Sequence, residues 1–205
     1  LCIFENHQHK KMNFLAHIYL SGNNDFIKIG NLMADGIRGK DYEHFPSDIQ
    51  KGIILHRAID TFTDAHPIFR ISKHRLHEKY GHYSGVIIDV FYDHFLAKNW
   101  SNYSDEKLSD FVNRFYQSLD DNFEMLTLKT QNMLPYMKKG NWLYNYQFIE
   151  EIERVLLQMD RRTKHESNMG FSVQELKEFY TEFEEEFTLF FKELRVFCSE
   201  KLLTL

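Results

Sequence analysis

The segment 84–100, Ser-Gly-Val-Ile-Ile-Asp-Val-Phe-Tyr-Asp-His-Phe-Leu-Ala-Lys-Asn-Trp, is apolar almost all the way round a helical projection, yet it carries Asp89 and Asp93. At 100° per residue these two carboxylates fall about 40° apart. Val86, Val90 and Leu96 flank them, and Ile87, Ile88, Phe91 and Phe95 cover the rest of the surface. Such a pattern predicts a central helix with no polar face to hold the charges. Buried carboxylates are costly unless met by a positive partner. A metal ion and an arginine are the two candidates.

Helical periodicity recurs along the rest of the chain. It predicts helices over roughly 13–20, 25–37, 47–65, 67–80, 84–99, 104–118, 120–139, 145–163 and 172–203. Ser104 is a candidate N-cap, and Ser172 with Glu175 reads as an S-x-x-E capping box. Gly81, Gly140 and Gly170 mark breaks. No stretch sustains a period of two, so no sheet is expected. The predicted fold class is all-α, a single-domain helical bundle over 12–205.

Nine Gly and three Pro suit long helices, while nineteen Phe and eleven Tyr point to a bulky aromatic core. Residues 1–11 lack an initiator Met and read as an extension ahead of Met12. Cys2 and Cys198 lie near opposite ends, with neither zinc-finger spacing nor a disulfide framework, which fits a reducing, cytoplasmic setting. No apolar run reaches the ~18 residues of a membrane span. A net charge of −5 argues against nucleic acid as the main partner.

Charge is uneven. Residues 70–82 hold four Lys/Arg (Arg70, Lys73, Arg75, Lys79) against one Glu, and residues 171–200 hold eight Glu against three Lys/Arg. The basic segment reads either as a solvated face or as a docking site for an acidic partner. The acidic one reads as a solvated helix face.

A second stripe carries chemistry. His56, Asp60 and Asp64 are spaced four and four on one helix, beside the apolar face of Leu55, Ile59 and Phe62, and His66 follows at the helix end. Two helices with metal-ligand residue types at i,i+4 are a natural way to build a carboxylate–imidazole site. Oxygen-rich ligation with one or two imidazoles favours Mn, Mg or Fe over structural Zn. His17 and Asp35 are further polar residues in apolar surroundings. His94 projects about 100° from Asp93, so the two cannot simply face one ion. No G-x-S-x-G, Walker-type loop or G-x-G-x-x-G is present.

Met12-Asn-Phe-Leu-Ala-His17, Gly30-Asn-x-x-Ala-Asp35, Gly52-Ile-x-Leu-His-Arg-x-Ile-Asp60, Phe62-Thr-Asp-x-His-Pro67 and Asp93-His-Phe-Leu-Ala97 together resemble the acyl carrier protein phosphodiesterase family. The resemblance is dense up to about Trp100. It implies a helical fold related to the HD-type metal-dependent phosphohydrolases. It also implies a Mn²⁺-dependent removal of 4′-phosphopantetheine from holo acyl carrier protein. Asp35, His56, Asp60, Asp64, His66, Asp89 and Asp93 occupy the motif positions. The usual adjacent His-Asp pair is missing; Asp93-His94 has the reverse order.

On this reading Asp35, His56, Asp60, Asp89 and Asp93 supply metal ligands, with His17 as a possible addition. His66, then His94, is the expected general acid, with Asp64 beside it. Arg57 is expected on a non-bridging phosphate oxygen, and Arg70, Lys73, Arg75 and Lys79 on the carrier protein. Two rival readings remain open: a metal-dependent phosphohydrolase acting on a small molecule such as a nucleotide, and a non-enzymatic helical binding protein.

Overall fold

The computed structural model describes residues 14–205, so Met12 and the expected extension before it lie outside the described residues. The order is α1 (Phe14–Leu20), α2 (Asp25–Met33), α3 (Ser47–Ala65), α4 (Pro67–Tyr80), α5 (Ser84–Lys98), α6 (Leu108–Asp121), α7 (Leu128–Lys139), α8 (Trp142–Asn145), α9 (Ile149–Arg162), α10 (Val173–Glu178) and α11 (Tyr180–Leu203). No strand occurs among the described residues. The fold is all-α, as the periodicity predicts, and among the described residues no helix is long and apolar enough to cross a membrane.

α5 is the central helix. Every residue from Val86 to Ala97 is buried. The acidic α11 lies along it, and its inner face is a ladder of aromatic rings. Phe183 meets Phe91 edge-on at 5.3 Å, and Phe187 meets Tyr92 and Phe95 at 5.5 and 6.0 Å. Such pairs add about 0.5–1.5 kcal/mol each beyond the area they bury. The glutamates of this helix are not all solvated, as the charge pattern suggests. Glu184 accepts from Asn99 Nδ2 at 2.7 Å, and Glu186 bonds Ser72 and Arg75 of α4.

Several element boundaries differ from the expected ones because local capping competes with periodicity. Ser104 Oγ accepts the Glu106 N–H in a tight turn, so α6 starts only at Leu108. The expected 120–139 helix is interrupted by a 3₁₀ turn at Phe123–Met125, after which Thr127 caps α7. The capping box at Ser172 does not form. Ser172 Oγ donates to the Met169 carbonyl, and Glu175 turns into the interior to accept from Tyr80 Oη at 2.6 Å.

The feature that positions the site is the α2–α3 crossing. A Cβ on Gly30 would sit 2.1 Å from the Ile49 carbonyl oxygen, and one on Gly52 would sit 2.1 Å from that of Ile27. Only hydrogen at both positions lets the backbones touch. Gly52→Ala is therefore expected to lower stability by about 2–4 kcal/mol through overpacking against backbone that cannot move aside. Urea denaturation measures this; an unchanged midpoint would mean that the crossing yields easily.

Candidate metal centre

The crossing brings together residues from three helices. α1 contributes His17, α2 Asn31, the 3₁₀ turn Ala34–Gly36 contributes Asp35, and α3 contributes His56 and Asp60. His17 Nε2 lies 3.5 Å from Asp60 Oδ1, and His56 Nε2 lies 3.4 Å from Asp60 Oδ2 and 3.3 Å from Asp35 Oδ1. The two imidazole rings lie against each other, tilted by 33°, with centroids 4.2 Å apart.

Asn31 decides what these rings can do. Its Oδ1 lies 2.7 Å from His17 Nδ1 and 3.0 Å from His56 Nδ1. Its Nδ2 donates to the His17 carbonyl and to Ser21 Oγ, and Ser21 Oγ in turn donates to that same carbonyl. Exchanging the amide's oxygen and nitrogen would set oxygen against oxygen at His17, so the orientation is determined by the network. Asn31 therefore accepts an N–H from both Nδ1 atoms, and both Nε2 lone pairs are turned toward Asp60.

A lone pair facing a carboxylate oxygen repels it unless a proton or a metal ion lies between. Separations of 3.3–3.5 Å are long for a charge-assisted hydrogen bond, which prefers about 2.7–2.9 Å. They are close to the spacing of two ligands about 2.1 Å from one ion, about 3.0–3.4 Å. His17, His56 and Asp60 form a group able to hold a metal ion, with Asp35 one contact further. A hydrogen bond that orients a ligating imidazole from behind is the usual outer partner of such sites.

The electrostatics agree. Burial, helped by the neighbouring His56, pushes the His17 pKa below the ordinary value and keeps the ring neutral, as a ligand must be. At Asp35 burial acts to raise the pKa, but the His56 contact, with Lys129 beside it, outweighs burial and the net shift is downward.

Other predicted site residues lie elsewhere. Asp93 is fully buried, and both its oxygens accept backbone N–H groups at the start of α1, from Leu15 at 2.9 Å and Ala16 at 2.8 Å. Backbone N–H groups at the start of α1 thus meet the Asp93 carboxyl, a partner that the residue pattern did not point to. Burial pushes the Asp93 carboxyl well above the usual range against these two bonds, and the charge of Asp89 adds to the rise. Asp89 and Asp93 fall outside the His17–His56–Asp60 group.

The expected acids and phosphate contact have other partners. His94 donates from Nδ1 to the Tyr146 carbonyl and accepts from Tyr180 Oη at Nε2, both at 2.8 Å, which ties α5 to the chain around α8 and to α11. His66 is buried between Phe62 and Phe190, with Nε2 3.2 Å from Glu193. Asp64 is exposed, and its carbonyl accepts from Arg70 Nε. Arg57 donates to the Ile37 carbonyl and lies over the Tyr42 ring, so it braces the loop after α2. In the basic segment Arg75 pairs with Glu186 and Lys79 with Glu175. Their charge is met internally, while Lys73 packs near Gly85.

Burial holds the His94 pKa below its ordinary 6.5. As pH falls below about 6.5 the unfolded chain takes up a proton that the folded ring refuses, so stability should fall. His94→Gln should make the melting temperature less steeply dependent on pH between about 6.5 and 5. An unchanged slope would exclude His94 as a contributor.

Two residues of the centre were given no role by the sequence reading. Asn31 stands in the Gly30-Asn-x-x-Ala-Asp35 motif, and its place on α2 four residues before Asp35 could have marked it. Lys129, whose charge acts on Asp35, comes from a distant segment with no local signal.

The family model for acyl carrier protein phosphodiesterases matches residues 12–194. The chain belongs to the acyl carrier protein phosphodiesterase family. The acyl carrier protein phosphodiesterase of Photorhabdus laumondii is 32% identical over 184 residues, covering 88% of this chain and 91% of the relative. Those of Pectobacterium atrosepticum and of an Enterobacter species are 30% and 31% identical, covering 84% and 94% of this chain and 90% and 100% of the relatives. No solved structure matches the chain.

Proposed function

We propose that this protein hydrolyses the phosphodiester joining 4′-phosphopantetheine to the serine of holo acyl carrier protein, with Mn²⁺ as its metal and Mg²⁺ or Fe²⁺ as alternatives. His17, His56 and Asp60 would hold the ion, with Asp35 as a fourth ligand. The observation that carries this reading is Asn31, which turns both imidazole lone pairs toward Asp60. Family membership supplies the substrate.

A divalent ion in this site would lower the pKa of water and offset the phosphodiester's negative charge. The chain's own part is to pre-order the site. Asn31 fixes both rings, the α2–α3 crossing fixes Asp35 against His56, and burial keeps His17 unprotonated. Water adds to phosphorus, the bond to the carrier's serine oxygen breaks, and that oxygen must gain a proton. With His94 held at both nitrogens inside the core, His66 remains the better donor of the two histidines, although Glu193 engages it. For docking, Arg70 and Lys73 remain the better contacts, since Arg75 and Lys79 already face glutamates.

Incubating the protein with holo carrier and Mn²⁺, then weighing the carrier, tests the reading. Loss of the prosthetic group's mass is expected, and chelation should stop it. An intact carrier alongside metal-dependent cleavage of nucleotides would favour the small-molecule reading. The absence of any bound divalent metal would favour a binding protein.

A further inference from the structure

A cleft of ≈ 530 Å³ begins at Gly36, the residue after Asp35. Ile37 forms one wall, and Met125, Leu126 and Thr127 form the other. Its size falls within the range of small-molecule sites, about 300–1,000 Å³. The segment carrying the second wall is tied to the end of α2, two residues before Asp35, because the Thr127 N–H contacts Met33 Sδ at 3.2 Å.

Lys129 follows directly in the first turn of α7. Its Cδ lies 3.2 Å from where a Cβ on Gly36 would stand, so the aliphatic stem crosses the glycine. Its ammonium acts electrostatically on Asp35, yet among the described residues no carboxylate lies within 4.0 Å of it. A half-buried cation held beside metal-ligand carboxylates without a close ion pair is suited to an anionic ligand. The rest of the cleft is different. Its walls are mixed apolar and polar, and its charged members Asp41 and Glu124 are acids. That favours a ligand with a phosphate at one end followed by a long uncharged arm, and disfavours a chain of several phosphates.

We propose that this cleft is the subsite for the phosphopantetheine group, with Lys129 on a non-bridging phosphate oxygen and the amide-bearing arm between Ile37 and Met125. The proposal deepens the carrier-protein reading and rests on it for the identity of the arm. It places the phosphorus between Lys129 and the metal centre, and it sends the prosthetic group toward the loop before α3.

Calorimetric titration of the full-length, Mn²⁺-loaded protein with free 4′-phosphopantetheine tests this without turnover. Lys129→Met and Met125→Trp are each expected to weaken binding by tenfold or more, with manganese content and melting temperature retained. Ile37→Trp fills the cleft from the opposite wall and gives the same result if Met125→Trp does not fold. Wild-type affinity in both tryptophan variants would overturn the arm's placement, and wild-type affinity in Lys129→Met would overturn the phosphate contact. The carrier-protein reading fails separately: the wild type would bind phosphopantetheine yet leave holo carrier uncut.

Discussion

His56→Ala is expected to abolish tight binding of the divalent ion and to lower phosphodiester turnover by about 10³-fold or more. His56 is the hinge of the centre. Its Nε2 faces Asp60 and Asp35, while its Nδ1 takes the Asn31 oxygen. Removing the ring leaves two carboxylates, Asp35 and Asp60, facing each other with one imidazole fewer to complete the ligand set. Metal analysis of the purified variant gives the first readout and turnover of holo carrier the second. Asn31→Leu serves as the graded partner. It leaves every ligand in place but removes the oxygen that orients both rings, and should cost about 10–100-fold in metal affinity. Full metal occupancy and activity in His56→Ala would place the ion elsewhere.

Asp93→Asn should act on the fold instead. The amide would turn an N–H₂ donor toward the Leu15 or Ala16 N–H, leaving a buried clash of donors where two bonds now exist. The expected loss is about 2–4 kcal/mol, typical of breaking a buried hydrogen-bond network. Most of the loss should persist in chelator, because Asp93 holds the start of α1. A loss that vanished in chelator would put Asp93 on the ion. Since α1 carries His17, some weakening of metal affinity should accompany the destabilisation.

Much of the site was legible because it obeys local periodicity. His56 and Asp60 are one turn apart on a helix whose inner face is apolar, and that spacing sets them side by side in α3. His17 stood out as a polar residue among apolar neighbours and is buried in the fold, while Asp35, which stood out in the same way, sits on an exposed turn with its carboxylate against His56. The Asp89/Asp93 pair was rightly read as buried on a helix without a polar face. What meets Asp93 was not readable, because backbone N–H groups at a helix start leave no trace in residue type. The basic stretch 70–82 was ambiguous for a similar reason. Its charges looked free in sequence, but α11 brings Glu186 against Arg75.

By itself the sequence determined the all-helical class, the central apolar helix, and the histidines and carboxylates available for a metal, since these follow from spacing along one chain segment. Only the tertiary structure decided which of them meet. Gly30 and Gly52 let two helices touch at the backbone, Asn31 turns two imidazoles toward one carboxylate, and Lys129 arrives from a remote helix. These are distances between segments, set by packing and hydrogen bonding across the core, and no periodicity within a segment encodes them.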